Sequence, residues 1–263
     1  MIGQKQFFHY LQHWKQPPQF LILQGEDGSG RSTLIEVIKS HFKYDTVLCG
    51  SSVEEIRSII SLAYHLSKPT FYIFYNGDSL SISAKNTLLK IVEEPPKAAH
   101  FILRTSNNIL ETLQNRAFVY KMQSYTADEL HQGFKLFDQE GLYDSHKFVC
   151  KNIGQIKKFL KAPYEDMIAY CDNIVNIIST VAAGNILNIT NKLALKEEVE
   201  KWDITTFLNI LEWQLCLKYQ QTKDDKFFQG LYRLHVVQEQ LKIVGVNKQM
   251  LFDNFFLGLK DLL

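Results

Sequence analysis

Residues 25 to 33, Gly25-Glu26-Asp27-Gly28-Ser29-Gly30-Arg31-Ser32-Thr33, have the composition and spacing to hold a phosphate. Glycines at 25, 28 and 30 let the backbone curl, so that successive N–H groups and the N-terminus of a following helix face an anion. A hydrolysing loop places Lys at position 31, where a compact charge sits between the terminal phosphates. This chain has Arg31, whose planar fork needs more room. The candidate phosphate-binding residues are Gly25, Gly28, Gly30, Arg31, Ser32 and Thr33, in a degenerate P-loop.

Hydrolysis also needs acids. A carboxylate at the end of a buried strand holds Mg²⁺, and a neighbouring acid polarises the attacking water. The apolar run Phe71 to Phe74 leads instead into Tyr75-Asn76-Gly77-Asp78. Tyr75 cannot replace a metal-binding carboxylate, and Asn76 cannot act as a base at neutral pH. Asp78 comes three residues late and reads as a turn residue leading into a helix. These replacements argue against ATP turnover. They leave two readings of the loop: ATP or ADP bound without hydrolysis, or a fold element that holds nothing.

Arg116, in Gln114-Asn115-Arg116-Ala117, carries two readings. The residues alone favour a surface arginine, and the alternative is a finger that reaches a neighbour's nucleotide. Lys151, Lys157, Lys158 and Lys161 flank the turn Asn152-Ile153-Gly154. They read as a solvated face, with contact to a phosphate backbone as the alternative. The histidines show no H-E-x-x-H spacing, and Cys49, Cys150, Cys171 and Cys216 lie far apart with no C-x-x-C pair. Neither a metal site, zinc included, nor a disulfide framework is expected.

The elements that must position these residues follow from the apolar pattern. Phe20 to Leu23, Thr46 to Cys49, Thr70 to Tyr75, His100 to Leu103 and Phe118 to Tyr120 read as strands. Helical stretches separate them: Leu34 to Phe42, Val53 to Leu66, Ser83 to Glu94 and Ile109 to Asn115, preceded by Gln6 to Trp14. Strands alternating with helices predict a parallel, doubly wound sheet with its site at the strands' C-terminal ends. After Gln123 the strand signal disappears. Thr126-Ala127-Asp128-Glu129 opens a helix toward Phe137, and from Tyr164 apolar residues recur at three and four spacing almost to Leu263. The fold class is therefore α/β followed by all-α.

Composition bounds the rest. A chain of 263 residues has room for two or three modules, and a net charge of +1 excludes a globally basic nucleic-acid binder. The opening Met1-Ile2-Gly3-Gln4-Lys5 lacks the apolar core of a signal peptide, and no apolar run is long enough to span a bilayer. A cytoplasmic protein without membrane contact is expected.

At Asn86-Thr87-Leu88-Leu89-Lys90-Ile91-Val92-Glu93-Glu94-Pro95-Pro96 the chain resembles bacterial clamp-loader AAA+ subunits, in which a helix ends N-x-L-L-K-x-x-E-E-P-P. Other pieces agree in order. Ile2-Gly3-Gln4 resembles the opening I-G-Q box, and Val53-Glu54-Glu55-Ile56-Arg57 resembles the helix before the metal-binding strand. Thr105-Ser106 falls in the sensor-1 region. Gly154-Gln155-Ile156-Lys157-Lys158 resembles the lid segment, with Lys158 at the sensor-2 position, where active members carry Arg. Val246-Asn247-Lys248-Gln249-Met250-Leu251 resembles the N-x-x-L signature of the last collar helix.

The resemblance covers essentially the whole chain. It implies an AAA+ nucleotide-binding domain over residues 1–122, a small helical lid over 123–162 and a helical collar for oligomerisation over 163–263. Trp202, Trp213, Phe227, Phe228, Leu251, Phe255 and Phe256 would supply apolar area for the collar and for its core. The departures choose among subunits. Hydrolysing members carry the P-loop Lys, the paired acids and usually a four-cysteine zinc module, none of which is here. The family's delta-prime subunit has a degenerate site and lends its neighbour a finger from an S-R-C motif. Here that motif reads Asn115-Arg116-Ala117, so only the Arg remains.

The resemblance thus implies a delta-prime-like subunit of the DNA polymerase III clamp loader with no intrinsic ATPase activity. It would help load the sliding clamp on primed DNA, with Arg116 as a finger in trans. The implied partners are the delta and gamma/tau subunits, the sliding clamp and primed DNA, in a hetero-oligomer held by the collar. Two alternatives stand beside it: an active, gamma/tau-like loader ATPase with altered motifs, and an unrelated P-loop nucleotide-binding protein.

Overall fold

The apolar runs between residues 20 and 121 pair into one parallel sheet, because a helical connection returns the chain to the start of each next strand. The structure is a computed structural model that describes residues 2–107, 109–140, 147, 149–160, 164–198, 202–241, 243 and 245–263. The strands are β1 (Phe20–Gln24), β2 (Asp45–Leu48), β3 (Thr70–Phe74), β4 (Ala99–Thr105) and β5 (Phe118–Lys121). Their spatial order is β2-β3-β4-β1-β5, and every pairing is parallel. Between them lie α1 (Lys5–His13, before β1), α2 (Arg31–Phe42), α3 (Val53–Ala63), α4 (Ile82–Glu93) and the short α5 (Glu111–Gln114).

The period of two in a strand sorts side chains onto two faces. Phe20, Ile22, Tyr72, Phe74, Phe101 and Leu103 pack with Ile56 and Ile59 of α3 and with Leu88 and Ile91 of α4. Leu21, Leu23, Phe71, Ile73 and Ile102 pack on the other face, with Phe7 and Leu11 of α1 and Leu34, Ile35 and Ile38 of α2. Being covered on both faces, β3 is apolar without alternation, as the sequence predicts. Strands β2 and β5 are the two edges, and the four residues of β2 are exposed. A capping box between Ser52 and Glu55 starts α3, and the Ser81 side chain caps α4. The chain leaves β1 for the distant β2, and in open parallel sheets ligand sites lie beyond the strands' C-terminal ends at such a switch point, here β1 and β4.

Two compact units divide the chain: Met1–Glu129 with Asn152–Gly154, and Leu130–Lys151 with Gln155–Leu263. Helix α6 (Ala127–Leu136) crosses the boundary. Beyond it the described elements are helices, α7 (Ile153–Phe159), α8 (Glu165–Ile177), α9 (Ala183–Glu198), α10 (Ile204–Thr222), α11 (Asp225–Gln240) and α12 (Lys248–Leu262). Side chains of Asp203, Asp224 and Asn247 cap α10, α11 and α12. Helix α10 packs on α8 and α11, and α12 on α9 and α11. Of the large apolar residues expected there, Phe255 and Phe256 are core, Trp202, Trp213, Phe227 and Leu251 are half-buried, and Phe228 is exposed. The expected boundary between 162 and 163, and Lys161, lie outside the described residues. Among the described residues no helix is long and apolar enough to cross a membrane.

Candidate functional site

The glycine-rich turn runs from the end of β1 into α2, which starts at Arg31, three residues before the apolar run that marks it in the sequence. Gly28 (φ +85°) and Gly30 (φ +98°) are left-handed, a backbone state that side chains with a Cβ rarely adopt. The loop is held from several sides. Gly25 N–H donates to the Thr105 carbonyl (3.1 Å), and the Tyr125 hydroxyl donates to the Ser29 carbonyl (3.0 Å). Gly154 N–H donates to the Gly28 carbonyl (3.0 Å), and Asn152 Nδ2 donates to the Asp27 carbonyl (3.2 Å). The turn Asn152-Ile153-Gly154 therefore rests on the loop.

The side chains at this end of the sheet depart from a nucleotide–metal site. Arg31 is 5 % exposed, donates from Nη1 to Ser106 Oγ (2.9 Å) and lies 3.6 Å from Asp27 Oδ1. Burial, with neighbouring Arg104 second, lowers its pKa, while Asp27 and Asp78 act the other way. An arginine this basic remains charged. Arg104 shares strand parity with Ile102, which puts it on the α2 face of the sheet. From there Nη1 donates to Ser32 Oγ (2.8 Å), Nε donates to the Tyr75 carbonyl (2.6 Å), and the guanidinium lies 5.5 Å from the Tyr75 ring centre.

Ser32 occupies the position whose hydroxyl holds Mg²⁺ in a hydrolysing loop. Tyr75 and Asn76 follow β3, where the acids would stand. The Tyr75 hydroxyl donates to Glu36 Oε1 (3.0 Å); burial first, then that bond, push the phenol up, so it stays protonated. Divalent metal does not fit this arrangement: a cation already sits on the serine, and no carboxylate replaces the missing acids. Among the described residues no three His, Cys, Asp or Glu side chains gather as metal ligands. The four cysteines are free, and burial pushes the Cys49 and Cys150 thiols up to about 12. An anionic phosphate group does fit the donor set. Gly28 and Gly30 shape the turn, Arg31 and Arg104 supply charge, and the buried Ser29 Oγ has no hydrogen-bond partner. Thr33 is exposed on α2.

Asp78 has a job that its turn position does not disclose. It accepts from the Thr105 hydroxyl (2.7 Å), Ser106 N–H (2.7 Å) and Asn107 N–H (3.1 Å), anchoring the chain where it leaves β4. Burial would raise its carboxyl, but these donors outweigh burial and hold it below the ordinary carboxylate value. Its contribution to stability is present above a pH of about 3.9 and is lost as pH falls through the lowered folded value. Because Asp78 is solvent-exposed, Asp78→Asn is expected to cost about 1 kcal/mol or less near neutral pH. Urea melts across the acid range should show the gap between wild type and variant closing as pH drops. A gap that stays constant would contradict the assignment.

Arg116 stands at the other end of the sheet. It follows α5 and lines a cavity of about 360 Å³ with Pro18, Gln19, Phe20, Glu93 and Phe118, at the start of β1 and β5. Nη2 lies 2.7 Å from Glu93 Oε1, and Nη1 donates to the Thr112 carbonyl (2.8 Å). The length of β1, roughly 15 Å, separates it from the chain's own loop. Lys158 is exposed on α7, as is Lys157, and exposed Lys151 pairs with Glu212 (2.9 Å). The residues that sequence reasoning passes over are Arg104 and the Asn152–Gly154 brace. A lone arginine directly after the apolar run His100 to Leu103 is the signal that marks the first.

Comparison with known proteins finds partial matches to DNA polymerase III subunits. Residues 35–126 match the model of the DNA polymerase III delta subunit family. That stretch, a little over a third of the chain, runs from within α2 to just past β5; it includes the proline-terminated helix and Arg116 and leaves out the glycine-rich loop. The chain is also 26 % identical over 153 residues to the DNA polymerase III subunit gamma of Buchnera aphidicola subsp. Acyrthosiphon pisum, covering 56 % of this chain and 41 % of that protein. The same subunit of Buchnera aphidicola subsp. Schizaphis graminum is 25 % identical over 163 residues, covering 60 % of this chain and 44 % of that one. The chain thus spans less than half the length of the curated relatives it matches. Two crystallised variants of Thermotoga maritima RuvB superpose with a TM-score of 0.51, at 14 % and 15 % identity. They cover 75 % and 74 % of this chain and 85 % and 83 % of theirs, and they speak to the fold alone. Over part of its length the chain is thus similar to the DNA polymerase III delta family and to gamma subunits, and its fold is like that of RuvB.

Proposed function

We propose that this chain is a non-hydrolysing, delta-prime-like subunit of a DNA polymerase III clamp loader. In this role it helps place the sliding clamp on primed DNA and completes a neighbouring subunit's ATP site with Arg116. The observation that carries the reading is Arg104 bonded to Ser32 Oγ at 2.8 Å, with Tyr75 and Asn76 where metal-binding acids would stand. A subunit so altered contributes to turnover only through another's site. Arg116 is suitably placed for that, because it lies at the sheet end away from its own loop. Assembly would run through the helical region, where Phe228, Tyr232, Val236 and Ile243 are exposed on or just beyond α11. The partners are then the delta and gamma/tau subunits, any ATP or ADP is held without hydrolysis by the degenerate loop, and Lys158 occupies the sensor-2 position of the sequence.

A second reading has its own support: both curated relatives are gamma subunits, so an active loader ATPase with altered motifs stands as the alternative. One experiment separates the two. The purified chain is expected to show no Mg²⁺-dependent ATP turnover above background, and to co-purify with delta and gamma/tau. Robust hydrolysis abolished by Gly30→Val would establish the active reading instead.

A further inference from the structure

The C-terminal ends of β1 and β4 collect an unusual set of groups for a P-loop. Two guanidinium groups stand beside the loop, each bound to a serine: Arg31 to Ser106 at 2.9 Å and Arg104 to Ser32 at 2.8 Å. The carboxylates that face Arg31 are Asp27, 3.6 Å away with a largely exposed side chain, and Asp78, which accepts three hydrogen bonds from Thr105, Ser106 and Asn107. Glu36 accepts from Lys39 and from Tyr75. A separate observation points to a ligand. Ser29 is 6 % exposed, and its hydroxyl has no partner. It lies 3.1 Å from the point where a Cβ on Gly25 would stand, so it is turned across the loop and not out to solvent. A buried hydroxyl without a partner is costly unless a ligand supplies one.

We propose that this loop takes the polyphosphate group of a nucleotide without a divalent cation, with the Arg104 guanidinium standing where the metal would. The inference rests on the reading of a non-hydrolysing subunit and deepens it. A metal on Ser32 would have to lie beside a fixed positive charge, whereas phosphate oxygens gain from that charge and from the planar donors of both arginines. The left-handed Gly28 and Gly30 and the start of α2 offer N–H groups to the same anion. The Ser29 hydroxyl supplies one more donor. Arg104 is then a specificity-determining residue: it makes the site prefer the metal-free polyphosphate over its Mg²⁺ complex.

Calorimetric titration of the full chain with ADP, ATP and inorganic pyrophosphate, in excess EDTA and in excess Mg²⁺, tests this. Binding in EDTA is expected to be as tight as in Mg²⁺ or tighter. The pyrophosphate arm shows whether the phosphates alone suffice or the nucleoside is needed. Arg104→Ala should weaken binding in EDTA by roughly tenfold or more, the scale of a lost charge-assisted hydrogen bond, and shift the preference toward Mg²⁺. Arg104→Lys keeps the charge and loses the fork, so it should fall between the two while controlling for folding. Binding that strengthens with Mg²⁺ in the wild type overturns the proposal. So does the absence of binding in both buffers, which would make the arginine pair a plug. Neither result touches the proposed function, which fails on turnover by the isolated chain, on lack of assembly or on wild-type loader rates without Arg116.

Discussion

Arg116→Ala is expected to leave the chain folded and assembled while slowing ATP turnover in the reconstituted loader. An arginine finger stabilises the charge that develops on the transferred phosphoryl group and is worth ~10³–10⁵ in rate at the site it meets. The loss across the assembly should be smaller, because a loader has several ATP sites and only one borders this chain. Little stability is at stake. Arg116 and Glu93 are about a third or more exposed, and such pairs contribute ~0–1 kcal/mol. Lys is expected to rescue poorly, since it keeps a charge but loses the planar fork. Glu93→Ala supplies the control. If Arg116 serves only to hold the end of α4, removing its carboxylate partner should reproduce the defect; if Arg116 is a finger, Glu93→Ala should retain most turnover. Clamp loading and ATPase at wild-type rates in the Arg116→Ala complex would return Arg116 to an ordinary surface residue.

The sheet was readable because its strands are buried on both faces, so Thr70 to Phe74 and His100 to Leu103 stand out as unbroken apolar runs. The edge strand Asp45–Leu48 gives a weaker signal, since exposure relaxes its composition. Helix α5 is shorter than the pattern from Ile109 to Asn115 suggests, because Leu110 is a non-helical N-cap and Asn115 the C-cap. The loop announces itself through glycine spacing, which is local. What the loop touches is not local. Arg104 meets Ser32 across 72 positions, and Asn152 meets Asp27 across 125. Strand parity places Arg104 on the α2 face, but only the β4–β1 register brings it level with the loop. Asp78 is legible as a turn residue, while its three donors come from the far end of β4. Sequence patterns therefore disclosed the scaffold and the missing acids, and left undisclosed the cation that took the metal's place.

The bracing of the loop by residues 152 to 154 carries the other large expected effect. A Cβ on Gly154 would lie against the Gly28 Cα, well inside van der Waals contact, and 2.8 Å from the Gly28 carbonyl oxygen. The obstruction is backbone and cannot rotate aside. Gly28 is itself held at φ +85°, and its carbonyl already accepts from Gly154 N–H, so the two segments would have to separate. Gly154→Ala should cost ~1–3 kcal/mol through overpacking, with about 1 kcal/mol more if the Gly154–Gly28 hydrogen bond breaks. Amide hydrogen exchange should quicken at Gly28 to Arg31, the residues that present the N–H groups of α2. Gly184, in the first turn of α9, is the matched control: nothing stands within 4 Å of its Cβ position. There Ala is expected to be neutral or stabilising by up to ~1 kcal/mol, through helix propensity and a less mobile unfolded chain. Should Gly154→Ala melt with the wild type and leave loop exchange unchanged, the loop would be holding its shape without the segment that rests on it. The charge arrangement around Arg31 and Arg104 would then depend on the sheet alone.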